Sequence, residues 1–325
     1  MVSGMNPLVS IVIPVYNGAN YVAEAIESAL AQTYDNIEIL VINDGSIDNG
    51  ETDRAVERYR DKIRYFKKEN GGSSSALNCG IQNMSGEWFS WLSHDDLYYP
   101  DKIQRQIEYL NSMDLSANEL PDHIFFSASD LIDGNGQTIR KADPKKVQKT
   151  AALIDALSGN ECLIAEPTRY NFHGCSCLIH RDAFERVGLF DEKLRLLNDI
   201  DMWYRLYSAG FKLHYLTESL VKGRVHAKQI SRSIGYSYHN PEQDWFWDRS
   251  LKWLKENHPN RDELFHLFGR NAYLKTRTGD GDRAFAIVAE LKPEKKLQLQ
   301  LQRMGYILYA KGRTFAKNMY LKLRA

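Results

Sequence analysis

Leu8-Val9-Ser10-Ile11-Val12-Ile13-Pro14 is a nearly continuous β-branched apolar run closed by a proline. That composition suits a strand buried on both faces, as in a parallel sheet. Val22, Ala25, Ile26, Ala29 and Leu30 follow at helical spacing within Tyr21 to Gln32. Ile37 to Ile42 is a second buried run, closed by Asn43-Asp44-Gly45-Ser46. A polar helix from about Asp48 to Tyr59 leads to a short strand at Ile63 to Lys67. Strand, helix, strand, helix, strand predicts a doubly wound α/β layer with right-handed crossovers.

The pattern continues in both directions along the chain. Gly71-Gly72-Ser73-Ser74-Ser75 reads as a flexible loop before a helix through Ala76 to Met84. Trp88 to Leu92 is a strand that delivers Ser93-His94-Asp95-Asp96 at its carboxyl end, the edge where open α/β sheets bind ligands. A helix begins after Pro100, Ile124 to Ser129 is a further strand, and Asp133-Gly134-Asn135-Gly136 is a hairpin turn. Residues 141–169 read as a helix plus an acceptor-side loop, and Asp199 to Ala209 as a helix stopped by Gly210. Beyond about Tyr238 the aromatic stretch around Trp245, Phe246, Trp247 and Trp253 marks a change of character. The predicted division is a catalytic domain over 1–238 and a helical extension over 239–325.

Composition excludes several function classes. The 325 residues carry 42 basic and 42 acidic side chains, so there is no global field to hold nucleic acid. The balance hides an asymmetry: Lys292 to Ala325 holds nine Lys/Arg against Glu294 alone. An amphipathic basic segment of this kind suits an anionic lipid surface, a sister subunit or the catalytic domain itself. Four cysteines in a chain of this length form no disulfide framework and suit a reducing compartment. Neither a secretory signal nor an apolar stretch of about 18 residues is read. The expected place is the cytoplasm, with peripheral contact to a membrane.

Two segments point to chemistry. Pro14-Val15-Tyr16-Asn17 and Asn43-Asp44-Gly45-Ser46 sit at strand carboxyl ends, where backbone amides and a carboxylate can surround a base and ribose. Asp-Gly-Ser is also ordinary turn chemistry. In Ser93-His94-Asp95-Asp96, two adjacent carboxylates after a buried strand concentrate charge that is costly without a cation. Mg²⁺ and Mn²⁺ favour such oxygen ligands and share them with a diphosphate. A helix N-cap would use the same residues, so the order of the segments decides more than either alone.

Taken in order, Ser10 to Asn17, Gln32-Thr33-Tyr34, Asn43 to Ser46, Glu69-Asn70-Gly71-Gly72, Ala76-Leu77-Asn78 and Ser93 to Asp96 resemble glycosyltransferase family 2. The resemblance covers about residues 8–232. It implies a GT-A fold and inverting transfer from a nucleotide-sugar, UDP-linked by default, assisted by Mn²⁺ or Mg²⁺. By position, Pro14, Tyr16 and Asn17 would line the nucleotide, Asp44 the base, and Asp95 the ribose and donor sugar. Asp96 would bind the metal. Lys68 would reach the base or a phosphate, or else end its strand in solvent. Asn43 stands where many members have Asp.

Leu197-Asn198-Asp199-Ile200-Asp201-Met202-Trp203 is similar to the family's Glu-Asp-x-Asp-Leu-Trp segment. It makes Asp199 the base that takes the acceptor hydroxyl proton. Asn198 replaces the commoner Glu beside the acceptor, and Asp201 reads as a helix-turn partner. Arg224-Val225-His226 resembles segments that return a histidine, here His226, to the metal or diphosphate. His173, Gly174 and Cys175 are placed by the resemblance on the floor of the acceptor site. Cys175-Ser176-Cys177 lacks a second paired set, so zinc is not expected. The implied acceptor is a saccharide or lipid-linked saccharide of surface polysaccharide or glycolipid synthesis; a homo-oligomer is left open. A nucleotidyltransferase would need a Gly-rich basic loop after the first strand, which Pro14 to Asn17 is not. An inactive sensor would not need both Asp96 and Asp199.

Overall fold

The computed structural model describes residues 4–156 apart from 114 and 117, residues 172–229 apart from 228, and beyond these only 242, 256, 294, 296–298, 300–302, 304 and 308. The chain separates into two compact units, Met1–Gln229 and Ile230–Ala325. The aromatic stretch around Trp245 and the segment from Phe315 onward lie outside the described residues. No helix among the described residues is long and apolar enough to cross a membrane.

Strands β1 (Val9–Val15), β2 (Ile37–Asn43), β3 (Arg64–Lys67) and β4 (Trp88–Trp91) alternate with helices α1 (Val22–Leu30), α2 (Glu51–Glu57) and α3 (Ser73–Asn83). They form the parallel half of one mixed sheet, in the order β3-β2-β1-β4. Every residue of β1 is buried, which is why its sequence is an unbroken apolar run rather than an alternating one. Because these four strands are parallel, their carboxyl ends lie along one edge, and the loops after them share one crevice.

The second half is mixed. After β5 (Leu97–Tyr98) and helix α4 (Lys102–Ser112) come β6 (His123–Ile132), β7 (Thr138–Arg140), α5 (Pro144–Ala156), β8 (Leu178–His180), α6 (Asp182–Val187), α7 (Asn198–Ser208) and β9 (Lys212–Arg224). The sheet continues β4-β8-β6-β9-β5, and β7 pairs with β6 through the expected turn at Asp133 to Gly136, where Gly136 has φ 81°. Trp88, Phe89, Phe125, Phe126, Trp203, Tyr207 and Phe211 fill the core.

Two elements differ from the sequence reading. Ser73 to Ser75 are the first turn of α3 rather than loop, because Gly72 at φ 88° turns the chain and serines tolerate a helix start. Strand β9 is thirteen residues long and was not legible. Its register against β6 shifts around Ser127, Ala128 and Ser129, and such bulges break the period-two alternation that marks a strand.

Candidate active site at the carboxyl edge of the sheet

Asp44 follows β2 and is 3% exposed. Its carboxylate is wrapped by the loop after β3. Lys68 Nζ (2.8 Å) and the Gly71 amide (3.0 Å) donate to Oδ1, and the Gly72 amide (2.7 Å) and Asn70 Nδ2 (3.2 Å) donate to Oδ2. Asn43 points elsewhere: its amide bonds Asp53 and Tyr65, and its oxygen takes the Ser46 amide. Asn17, at φ 48°, clasps the same edge, taking the Ile47 amide on its oxygen while its own amide bonds Ser46 Oγ. Asn tolerates that left-handed backbone. Pro14 is buried in β1, and Tyr16 stands 40% exposed at the rim.

The acidic pair after β4 is divided. Asp95 Oδ2 lies 3.0 Å from His226 Nε2 and 3.2 Å from Gln229 Nε2. Burial raises its pKa, but His94, His226 and Gln229 outweigh that and hold it below the usual carboxylate range. Asp96 turns inward. Oδ1 accepts the Arg224 amide at 2.7 Å, and Oδ2 faces Cys175 Sγ at 3.2 Å and His173 Nε2 at 3.6 Å. Burial pushes Asp96 up to about 6. His226, expected to join Asp96 at a metal, stands against Asp95 instead. A residue one step along a turn faces the opposite side, and Asp95 is the carboxylate presented to His226.

Asp96, His173 and Cys175 do place one ligand atom each within 4.8 Å of one another. Burial and the Asp96 charge raise the Cys175 thiol well above its usual range. In that protonated form the thiol donates to Asp96 and receives the Ser93 amide. The three side chains thus meet under the acidic loop. Cys175, expected to line the acceptor floor, is buried beneath it. Gly174 presses on Trp91, where a Cβ would stand 2.7 Å from the ring.

His173 Nδ1 lies 3.3 Å from the Cys175 amide, and its Nε2 faces Asp96. Burial pushes Asp199 up to about 6, against the Ile200 amide and then a charged His173, both of which pull it down. Asp199 begins α7 and is half-buried, with Oδ1 on the Ile200 amide at 2.7 Å. Asn198 is buried, with Nδ2 3.4 Å from Ser73 Oγ, a link between α7 and α3. Asp201 is buried on Arg205 at 2.9 Å, the helix partner expected of it. Sequence reasoning gave no role to Arg224, Gln229, Tyr21 or Glu24, which surround the Asp95–His226 pair. Their polar and aromatic types at a strand end and helix start carry no signal until the fold brings them together.

The family model described as glycosyl transferase family 2 matches residues 10–118, the parallel half with both nucleotide-edge loops. An uncharacterised glycosyltransferase of Rickettsia prowazekii is 45% identical over 83% of each chain. One from Rickettsia conorii is 46% identical over 83% of this chain and 42% of its own length. The chain spans about two fifths of the first such relatives. The glycosyltransferase GlyG of Streptococcus pneumoniae is 25% identical over 76% of this chain and 78% of its own. Among solved structures, S. aureus TarS residues 1–349 with UDP-GlcNAc matches at TM-score 0.64 and 16% identity, over 94% and 92% of the two chains. The mannosyltransferase PcManGT of Pyrobaculum calidifontis, with GDP-Man and Mn²⁺, matches at 0.56 and 16%, over 96% and 83%. The fold, the order of the edge loops and the relatives agree: the chain belongs to glycosyltransferase family 2 and has the GT-A fold.

Proposed function

We propose that the enzyme transfers a sugar, with inversion, from a nucleotide-diphospho-sugar to a hydroxyl of a saccharide or lipid-linked saccharide acceptor, in surface polysaccharide or glycolipid synthesis. The observation that carries this reading is the Asp95–His226 pair, at the same sheet edge as the wrapped Asp44. A UDP-sugar is the default donor. In support, TarS binds UDP-GlcNAc and PcManGT binds GDP-Man with Mn²⁺.

Asp44 would receive the base edge. Its four donors already occupy its lone pairs, so a base N–H must displace one of them. Lys68 sits on a flexible stem with its side chain 26% exposed and is the donor free to swing toward the phosphates. Tyr16 would flank the nucleotide at the rim.

Asp95 and His226 offer an ionised carboxylate oxygen and an imidazole nitrogen at 3.0 Å; the carboxylate suits Mn²⁺ or Mg²⁺, and the nitrogen favours the transition metal Mn²⁺ over the harder Mg²⁺. When bound, such an ion neutralises the departing diphosphate as a Lewis acid. This reading moves the ligand role from Asp96 to Asp95. Asp199 would take the acceptor hydroxyl proton; a base with its pKa near 6 is ionised at neutral pH yet more basic than an ordinary aspartate.

A thermal-shift panel of UDP-, GDP- and dTDP-sugars, with and without Mn²⁺, tests the donor. A ligand at 100 times its Kd stabilises the native state by about 2.7 kcal/mol. No nucleotide-sugar raising the midpoint would overturn the reading.

We also propose that the enzyme works at the cytoplasmic face of an anionic membrane. Leu297, Leu301, Met304 and Leu308 are 58–68% exposed, their spacing sets them on one helical face, and the surrounding Lys292 to Ala325 is strongly basic. Co-sedimentation with phosphatidylglycerol vesicles, lost on mutating all four to Ser, is the expected result. Self-association without vesicle binding would show that a second copy covers the stripe.

A further inference from the structure

Arg224 ends β9 with its side chain wholly buried, yet no step of the proposed transfer uses it. Nε donates to the Asp95 carbonyl at 2.7 Å, Nη1 to the Gly134 carbonyl at 3.0 Å, and Nη2 to Glu24 Oε2 at 2.7 Å. Its backbone amide holds Asp96 Oδ1, and its carbonyl accepts Gln229 Nε2. The guanidinium lies 4.5 Å from the centroid of the Tyr21 ring, whose other neighbour is the His226 ring at 5.0 Å. One residue thus touches α1, the β6–β7 turn, the acidic loop and the segment carrying His226 and Gln229.

The contacts have a direction. Nε grips the backbone of Asp95, so the peptide from which its carboxylate projects cannot rotate. The guanidinium faces Tyr21, and Tyr21 packs on His226, so the imidazole is placed through that ring. Gln229, tied to the Arg224 carbonyl, also reaches Asp95 Oδ2. A planar fork can make these bonds at once, whereas a lysine ammonium offers compact charge without the geometry.

We infer that Arg224 is a positioning residue that sets the geometry of the Asp95–His226 pair and thereby its affinity for a divalent cation. This rests on the reading that the pair holds the metal. The alternative is a core arginine that serves folding alone. Groups that orient metal ligands typically govern 10–100-fold in metal affinity, an effect separable from stability.

The test is Mn²⁺ binding to the full chain, read from free-Mn²⁺ electron paramagnetic resonance, with and without UDP, for wild type, Asp95→Asn, Arg224→Lys and Glu24→Gln. Asp95→Asn is expected to abolish the site. Arg224→Lys is expected to weaken it by about 10–100-fold, and Glu24→Gln, at the half-exposed outer end of the fork, by a few-fold. If Asp95→Asn binds Mn²⁺ like wild type, the metal reading itself fails. If Asp95→Asn loses the site while folded Arg224→Lys retains wild-type affinity, the positioning inference is overturned. Should Arg224→Lys not fold, unchanged affinity in Glu24→Gln overturns it equally.

Discussion

His173 Nε2 lies 3.6 Å from Asp96 Oδ2, while its Nδ1 is fixed by the Cys175 amide. Burial raises Asp199 to about 6, a net position that already includes the opposing pull of the Ile200 amide and of a charged His173 imidazole. A base must be ionised to act, so turnover should fall as pH drops through about 6 and level off above it. Removing the imidazole's field in His173→Gln should move that limb to higher pH. Asp96 is also held near 6; in Asp96→Asn the limb should persist if Asp199 sets it. A kcat–pH profile of the three proteins checks the assignment, and a limb unmoved in His173→Gln would sink it.

Asp199→Asn keeps the shape of the side chain and removes its basicity. Donor binding should be unchanged by calorimetry, and turnover should fall by about 10²–10⁴-fold, the usual worth of a positioned base. Near wild-type transfer would remove Asp199 from that role.

Lys102 is a buried cation beneath the sheet, with Nζ on Ser90 Oγ, Gln106 Oε1 and the Cys177 carbonyl. Burial lowers its pKa to about 7 from 10.5. Between these values the unfolded chain binds a proton that the folded one does not, so stability should rise with pH above about 7. Measured by denaturant midpoints from pH 7 to 9.5, that rise should shrink in Lys102→Met. An identical slope in both proteins would show that Lys102 does not titrate on unfolding in this range.

Gly174→Ala drives a Cβ to 2.7 Å from the Trp91 ring, which is itself 9% exposed. Overpacking of this kind costs about 1–3 kcal/mol. The segment carrying His173 and Cys175 must shift, so both the unfolding midpoint and turnover should drop. Full activity with a lowered midpoint would separate His173 from catalysis.

The parallel half was readable because burial on both faces leaves an unbroken apolar run, as in β1 and β2, and the loops after them fall at strand ends by necessity. Asp44 and Asp95 could therefore be singled out at strand ends, and Asp199 by the resemblance of its segment to the family pattern. The facing of each side chain could not. Adjacent residues in a turn diverge, and whether Asp95 or Asp96 meets His226 depends on β9, a bulged strand without alternating pattern that brings Arg224 and His226 back from far along the chain. Sequence determined which chemical groups line the edge, since local period and turn chemistry are properties of neighbouring residues. Only the tertiary structure decided the pairing of Asp95 with His226, the inward turn of Asp96 and the grip of Arg224, because those follow from contacts between segments more than a hundred residues apart.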